Sequence, residues 1–245
     1  MNLGTLVYEG KGKKIYKDPA DQRQVWMEFK DDLTAFNAQK KGSFSGKGRL
    51  NGEMATLIFR YLKRAGIPSH FVSWEPDRFM RVEEVKIIPL EVVVRNYLAG
   101  SLAKKLGKEE GEKLPRPIVE FYYKDDGLND PFVSDDQIMA LNLAPGTDLM
   151  ALKTAALEIN VHLREIFRPM GLRLVDFKLE FGRDVDGRLL LADEITPDGC
   201  RLWDEKTLEK FDKDRFRRDL GGIDHAYKEV HKRLVSFMRE RGIEI

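Results

Sequence analysis

The sequence predicts an α+β fold on three observations. Strand-like stretches follow one another in meanders joined by glycine-bearing turns, and the long helical periodicities stand in separate runs. The regular strand–helix–strand alternation of a doubly wound sheet is missing. In chain order, residues 6–8 and 13–17 flank Gly10-Lys11-Gly12 as a hairpin, and 24–30 reads as a third strand. A polar, glycine-rich loop is expected from 31 to 48. A helix follows over 51–64, stopped by Gly66 and Pro68. Strands are expected over 69–73, 78–82 and 90–97. The charged, proline-bearing stretch 104–117 reads as a boundary or mobile loop, so two subdomains are expected, 1–116 and 117–245. After a strand at 118–124, a long amphipathic helix spans 147–167, with Leu149, Leu152, Ala156, Ile159, Leu163 and Ile166 at helical spacing. Strands over 172–181 and 188–195 form a hairpin about Val185-Asp186-Gly187. The last helix, 223–239, places Ile223, Tyr227, Val230, Leu234 and Phe237 on one face, read as core.

The 245 residues suffice for a core without staples, and 42% of them are apolar, which excludes a disordered chain. Lys and Arg number 42 against 41 Asp and Glu, so no net charge draws the chain to nucleic acid or a membrane surface. A single cysteine, Cys200, excludes a disulfide framework and a multi-cysteine metal site. No run approaches the ~18 apolar residues of a membrane span, and the first residues carry no signal-peptide pattern. A cytoplasmic protein with neither a nucleic-acid nor a membrane partner is expected. The balance conceals two unlike segments. Residues 171–200 carry seven acidic and four basic side chains, and residues 1–50 carry ten basic and six acidic ones.

Alternation along 172–181 points Val175, Phe177, Leu179 and Phe181 into a core and sends Asp176, Lys178 and Glu180 the other way. With Asp186-Gly187 at the hairpin tip, Glu180 pairs with Asp193. A four-residue loop keeps that register, and a three-residue loop shifts it by one. Opposed carboxylates destabilise a strand pair by up to ~1 kcal/mol. A hard divalent cation removes that penalty, and Mg²⁺ is commonly held by one or two carboxylates with substrate phosphates. Glu180 and Asp193 are therefore candidate metal ligands. In the first hairpin, glycines let backbone N–H groups approach an anion, and Lys11 and Lys13 can share a face beside them. Neither Walker A nor G-x-G-x-x-G spacing is present, and a basic hairpin tip alone is a common solvated feature. His70, His162, His225 and His231 lack metal spacing and read as structural, and Cys200 has no neighbouring histidine that would activate it as a nucleophile. Phe121, Tyr122 and Tyr123 read as a strand with core-facing aromatics. Lys47, in Ser45-Gly46-Lys47-Gly48, reads equally as a substrate contact and as part of a basic loop.

YEGKGKKIY at 8–16, EVVVRNYLAGS at 91–101, VDFKLEFG at 175–182 and ADEITPDGCRLWD at 192–204 together resemble the SAICAR synthetase family, as does 213–218 followed by Gly221-Gly222. The resemblance covers nearly the whole chain; Gly12 stands where a small residue such as Ala is expected. It implies a SAICAR synthase-like α+β fold with ATP in a cleft between subdomains. It also implies a homodimer and a ligase that joins L-aspartate to the carboxylate of carboxyaminoimidazole ribotide with ATP and Mg²⁺. On that footing Lys11, Lys13 and Lys124 hold ATP phosphates, Glu180 and Asp193 carry the metal, and Lys178 balances charge at the transferred phosphoryl. Arg95, Ser101 and Arg201 hold the ribotide's phosphate or carboxylate, and Asp176 contacts its amino group or ribose. Arg95 interrupts the apolar run Val92, Val93, Val94, where an unpaired charge is costly, whereas Ser101 would serve equally as a helix cap. Two rivals fit parts of the pattern: a small-molecule kinase using the same nucleotide cleft, and a nucleic-acid-binding module built on the basic N-terminal half.

Overall fold

The computed structural model describes residues 2–35, 39–75 and 77–245. Its elements are β1 (Leu6–Glu9), β2 (Lys13–Lys17), β3 (Gln24–Phe29), β4 (Asp32–Ala35), β5 (Lys40–Ser43) and α1 (Lys47–Arg64), then β6 (Phe71–Glu75), β7 (Phe79–Glu83), β8 (Lys86–Ile87), β9 (Leu90–Tyr97), α2 (Gly100–Leu106), β10 (Lys113–Tyr123), β11 (Phe132–Val133) and α3 (Asp135–Ala140). The chain ends with α4 (Gly146–Phe167), β12 (Leu172–Arg183), β13 (Leu189–Ala192), β14 (Cys200–Asp204), α5 (Asp214–Arg217) and α6 (Ile223–Arg239).

Two larger sheets result, in agreement with the α+β expectation. The first runs β1-β2-β3-β7-β6, all antiparallel neighbours. Helix α1 lies against it, and two glycines one helical turn apart allow the approach. A Cβ on Gly52 would stand 2.1 Å from the Trp74 ring, and one on Gly48 would stand 2.4 Å from the Phe29 carbonyl oxygen. The second runs β11-β10-β9-β12-β13, with β14 and β8 also on β12. Helix α4 covers it with the six apolar residues that its spacing selected, all buried. Helix α6 packs on α1; Tyr227, Val230, Leu234 and Phe237 are buried and Ile223 is half-buried against the same core, so that stripe is core.

Several expectations need correction. The stretch 31–48 holds the β4–β5 hairpin and the start of α1 rather than a continuous loop; residues 36–38 lie outside the described residues. Within 104–117 the chain finishes α2 and begins β10, so a division at 116/117 falls inside a strand that pairs with β9. The β12–β13 hairpin closes through three residues. The Asp184 N–H donates to the Arg188 carbonyl, and Gly187, at φ +79°, takes the left-handed position. Glu180 consequently pairs with Ala192, one residue away from the expected Asp193. A register shift between Leu174 and Asp176 turns Val175 onto Ala99 and Trp203, apart from the main core that Phe177, Leu179 and Phe181 join. Cys200 is buried at the start of β14, and burial pushes its thiol upward, which disfavours a thiolate.

Candidate active site

Strand β12 is the axis of the site, because it is flanked on both edges and its alternation sends Asp176, Lys178 and Glu180 to one side. Around Lys178 and Glu180 opens a cleft of about 560 Å³, roofed by Gly10, Lys11, Gly12 and Lys13 of the β1–β2 turn. Ile15, Val25, Met27, Val82 and Ile87 give it an apolar wall. On the floor, Lys178 Nζ meets Glu180 Oε1 at 2.7 Å and Glu91 Oε1 at 2.9 Å, and stands 3.9 Å from Asp193 Oδ2. Lys124 Nζ reaches the same Glu180 oxygen at 3.0 Å. Lys13, from the roof, contacts Asp193 and Glu194 together. Lys11 pairs with Asp126 across the rim at 2.7 Å.

Five of the expected residues therefore converge in one place, with Lys11 at the edge, although Glu180 and Asp193 are not cross-strand partners. Asp193 follows the end of β13 in a left-handed conformation, φ +63°, which returns its carboxylate to the cleft. Burial works against the Glu180 carboxylate, yet Lys178, Lys124 and Lys13 hold its pKa below the usual range. Burial likewise works against the Lys178 charge, but Glu180 and Glu91 hold it above the usual lysine range. Asp193 behaves differently. Burial, with Asp198 nearby, pushes its carboxyl up to about 7, while burial pushes the Lys13 amine well down. A carboxylate in that condition gains from an added cation.

The arginines form a second cluster further along β12. Arg95 on β9 and Arg201 on β14 both stand in register with Asp176. Arg95 is 3% exposed and makes three contacts: Nε to Glu120 at 2.5 Å, Nη1 to Asp176 at 2.9 Å and Nη2 to the Tyr122 hydroxyl at 3.0 Å. Arg201 donates to Asp176 at 2.8 Å and to Asp214 at 3.0 Å. Burial opposes the Arg201 charge, but Asp176 and Asp214 hold its pKa above the ordinary arginine value. Ser101 lies exposed in the first turn of α2, whose cap position is Ala99, so it is not the helix cap. It follows Gly100, where a Cβ would lie 2.5 Å from Arg201 Nη2.

Sequence reasoning left Lys47 open between a substrate contact and a basic loop, and missed its partner Asp198, which lines the cleft. Lys47, 1% exposed at the start of α1, meets Asp198 at 2.5 Å. Asn51 donates to the same oxygen at 3.0 Å, and the Tyr227 hydroxyl donates to the other at 2.5 Å. Burial opposes the Asp198 charge, yet Lys47 and Lys213 hold its pKa below the usual range. The only signal was Lys47 between two glycines; its partner is 151 residues away.

Comparison with known proteins bears on the family and the fold. The SAICAR synthetase family model matches residues 6–234. A phosphoribosylaminoimidazole-succinocarboxamide synthase of Bacillus mycoides is 56% identical over 229 residues, covering 94% of this chain and 95% of that protein. One from Shouchella clausii is 53% identical over 234 residues, covering 96% and 98%. Among solved structures, the corresponding synthase of Ehrlichia chaffeensis superimposes with TM-score 0.91 at 42% identity, covering 94% of this chain and 98% of that one. A SAICAR synthetase in complex with ADP gives TM-score 0.89 at 45% identity, covering 94% and 97%.

Proposed function

The chain belongs to the SAICAR synthetase family, and we propose that the cleft beneath its glycine–lysine turn is where ATP and the ribotide carboxylate meet. It is an ATP-dependent ligase of purine biosynthesis. It joins L-aspartate to the carboxylate of carboxyaminoimidazole ribotide, giving the succinocarboxamide ribotide, ADP and phosphate. The observation that carries the reading is the row Asp176, Lys178, Glu180 on one face of β12, with arginines at one end and lysines at the other. At ~3.3 Å per residue the row spans roughly 13 Å, enough to set a ribotide beside a nucleotide's phosphates.

A carboxylate is a poor electrophile, so the γ-phosphoryl of ATP is first transferred to a carboxylate oxygen of the ribotide, and ADP leaves. The aspartate amine then attacks the acyl carbon, the carbon–oxygen bond to phosphate breaks, and the amine loses a proton. The first step asks for alignment and charge neutralisation more than for a protein nucleophile. Lys11, Lys13 and Lys124 hold the phosphates, and Lys178 balances the transferred phosphoryl. Arg95, Arg201 and Ser101 hold the ribotide's anionic groups through fork-shaped donors and a hydroxyl, and Asp176 orients its amino group or ribose.

Glu180 and Asp193 fit Mg²⁺ by their donor chemistry. Among the described residues no set of three ligating side chains converges; an ion here would take these two carboxylates and complete its shell with phosphate oxygens and water. The raised Asp193 carboxyl is the kind of buried acid that such an ion relieves. When bound, the ion neutralises phosphate charge during transfer. The same reading carries a homodimer working in the cytoplasm, so sedimentation should give a mass near twice 28.3 kDa. ADP formation measured with each substrate omitted in turn tests the assignment. It should require both aspartate and the carboxylated ribotide. An undiminished steady rate without aspartate would contradict it and favour a kinase.

A further inference from the structure

The left-handed turn at Asp193 has a specific support. Ahead of β6, Ser69 makes a parallel bridge with Leu191. The His70 N–H donates to the Leu191 carbonyl at 2.9 Å, and the Leu191 N–H donates to the Pro68 carbonyl at 3.1 Å. A parallel ladder would continue with the Asp193 N–H on the His70 carbonyl and the Val72 N–H on the Asp193 carbonyl. The chain turns into β6 instead, and the His70 carbonyl accepts the Glu83 N–H at 2.7 Å. The Asp193 carbonyl is met by the His70 side chain, whose Nε2 lies 3.0 Å away. A carbonyl only accepts, so Nε2 carries the hydrogen. The ring is 2% exposed, stands edge-on to Phe59 at 5.5 Å, and borders the cleft. Burial pulls its pKa down to about 3 and keeps it neutral.

We propose that His70 is a positioning residue whose imidazole replaces the missing backbone donor, locks the turn at Asp193 and aims that carboxylate into the nucleotide cleft. The inference rests on the reading of Asp193 as a metal ligand and adds the residue that sets its direction. Groups that orient a ligand in this way alter metal affinity by about 10–100-fold when removed.

The test compares His70→Leu, of similar bulk without a donor, with His70→Gln, which keeps an N–H of similar reach. His70→Leu should need about tenfold more Mg²⁺ for half-maximal turnover and show a smaller Mg-ADP melting shift. Its KM for aspartate should stay within about twofold, and His70→Gln should return Mg²⁺ demand to within about threefold of wild type. If His70 only fills space, both variants lose nucleotide-free melting temperature and keep the wild-type Mg²⁺ demand, which overturns the proposal. Should His70→Leu fail to fold, imidazole ¹⁵N spectra of the wild-type protein at neutral pH decide. Hydrogen on Nε2 supports the assignment, and hydrogen on Nδ1 overturns it. Asp193→Asn in the same Mg²⁺ titration tests the premise separately. An unchanged response there refutes the ligand reading itself, whereas a lost response there with none in His70→Leu refutes the role of His70 alone.

Discussion

The two ends of β12 meet opposite kinds of cation. At the Asp176 end the partners are guanidinium groups, each bonded to more than one side chain, and Asp176 and Arg95 are both buried. At the Glu180 end the partners are ammonium groups that share carboxylates, as Lys178 and Lys124 share one Glu180 oxygen. A planar fork that is always charged fixes direction, while an ammonium on a flexible stem exchanges one anion for another. On the proposed reading, the same alternation provides a rigid receptor for orienting the ribotide and an exchangeable one for the nucleotide's phosphates. Neighbours on β9 and β14 supply the guanidinium groups, whereas Lys178 of β12 itself, Lys124 just after β10 and Lys13 of the first hairpin supply the ammonium groups.

The largest expected effect breaks the rigid end. Asp176→Asn leaves two guanidinium groups short of a counter-charge, and removing one partner of a buried pair costs about 3 kcal/mol, or roughly 10 °C of melting temperature here. Calorimetric melting checks this, and a change under about 2 °C would show the arginines already neutralised by Glu120 and Asp214. Next comes Arg95→Lys. One ammonium cannot span Glu120, Asp176 and Tyr122, so ribotide binding should weaken tenfold or more, ~1.4 kcal/mol. Affinity retained within about twofold by titration calorimetry would make Arg95 purely structural.

At the exchangeable end, Lys11→Ala with Lys13→Ala should weaken ATP about tenfold while ribotide affinity stays within about twofold. Equal losses for both ligands would remove the distinction between the two ends. The smallest effect is acid sensitivity. Glu180 titrates below its ordinary 4.5 in the folded protein, so its contribution is complete above about pH 4.5 and is lost as pH falls through the folded value. Glu180→Gln lacks that contribution, and its melting temperature should approach that of wild type as pH drops. Parallel curves would show that the lysines do not stabilise this carboxylate.

Much of this plan was legible in the sequence where periodicity is long. Helices α4 and α6 and strand β9 stand at their expected places because the burial of one face dictates their spacing. The β12–β13 register was not legible from alternation, which tolerates two-, three- and four-residue loops. Asp184 decides it by accepting the N–H groups of Asp186 and Arg188 at 3.0 and 2.8 Å, with Gly187 free to turn left-handed. The cleft's lysines and carboxylates were visible as residue types in glycine-rich or alternating contexts. Its apolar wall was not, because Val25 and Val82 read as ordinary core strand positions. Lys47 with Asp198, and His70 with Asp193, are contacts across 151 and 123 residues that no local pattern encodes.

The central claim is that the lysine-rich end of β12 takes the metal–nucleotide through Glu180 and Asp193. The direct measurement is the melting temperature of Asp193→Asn with and without Mg-ADP. Burial disfavours the Asp193 charge, so without nucleotide the variant should melt at the wild-type temperature or slightly above. Stabilisation by a ligand follows RT ln(1 + [L]/Kd), so a site short of one ligand charge should show a diminished Mg-ADP shift together with lost turnover. A full wild-type Mg-ADP shift with full turnover in Asp193→Asn would contradict the claim.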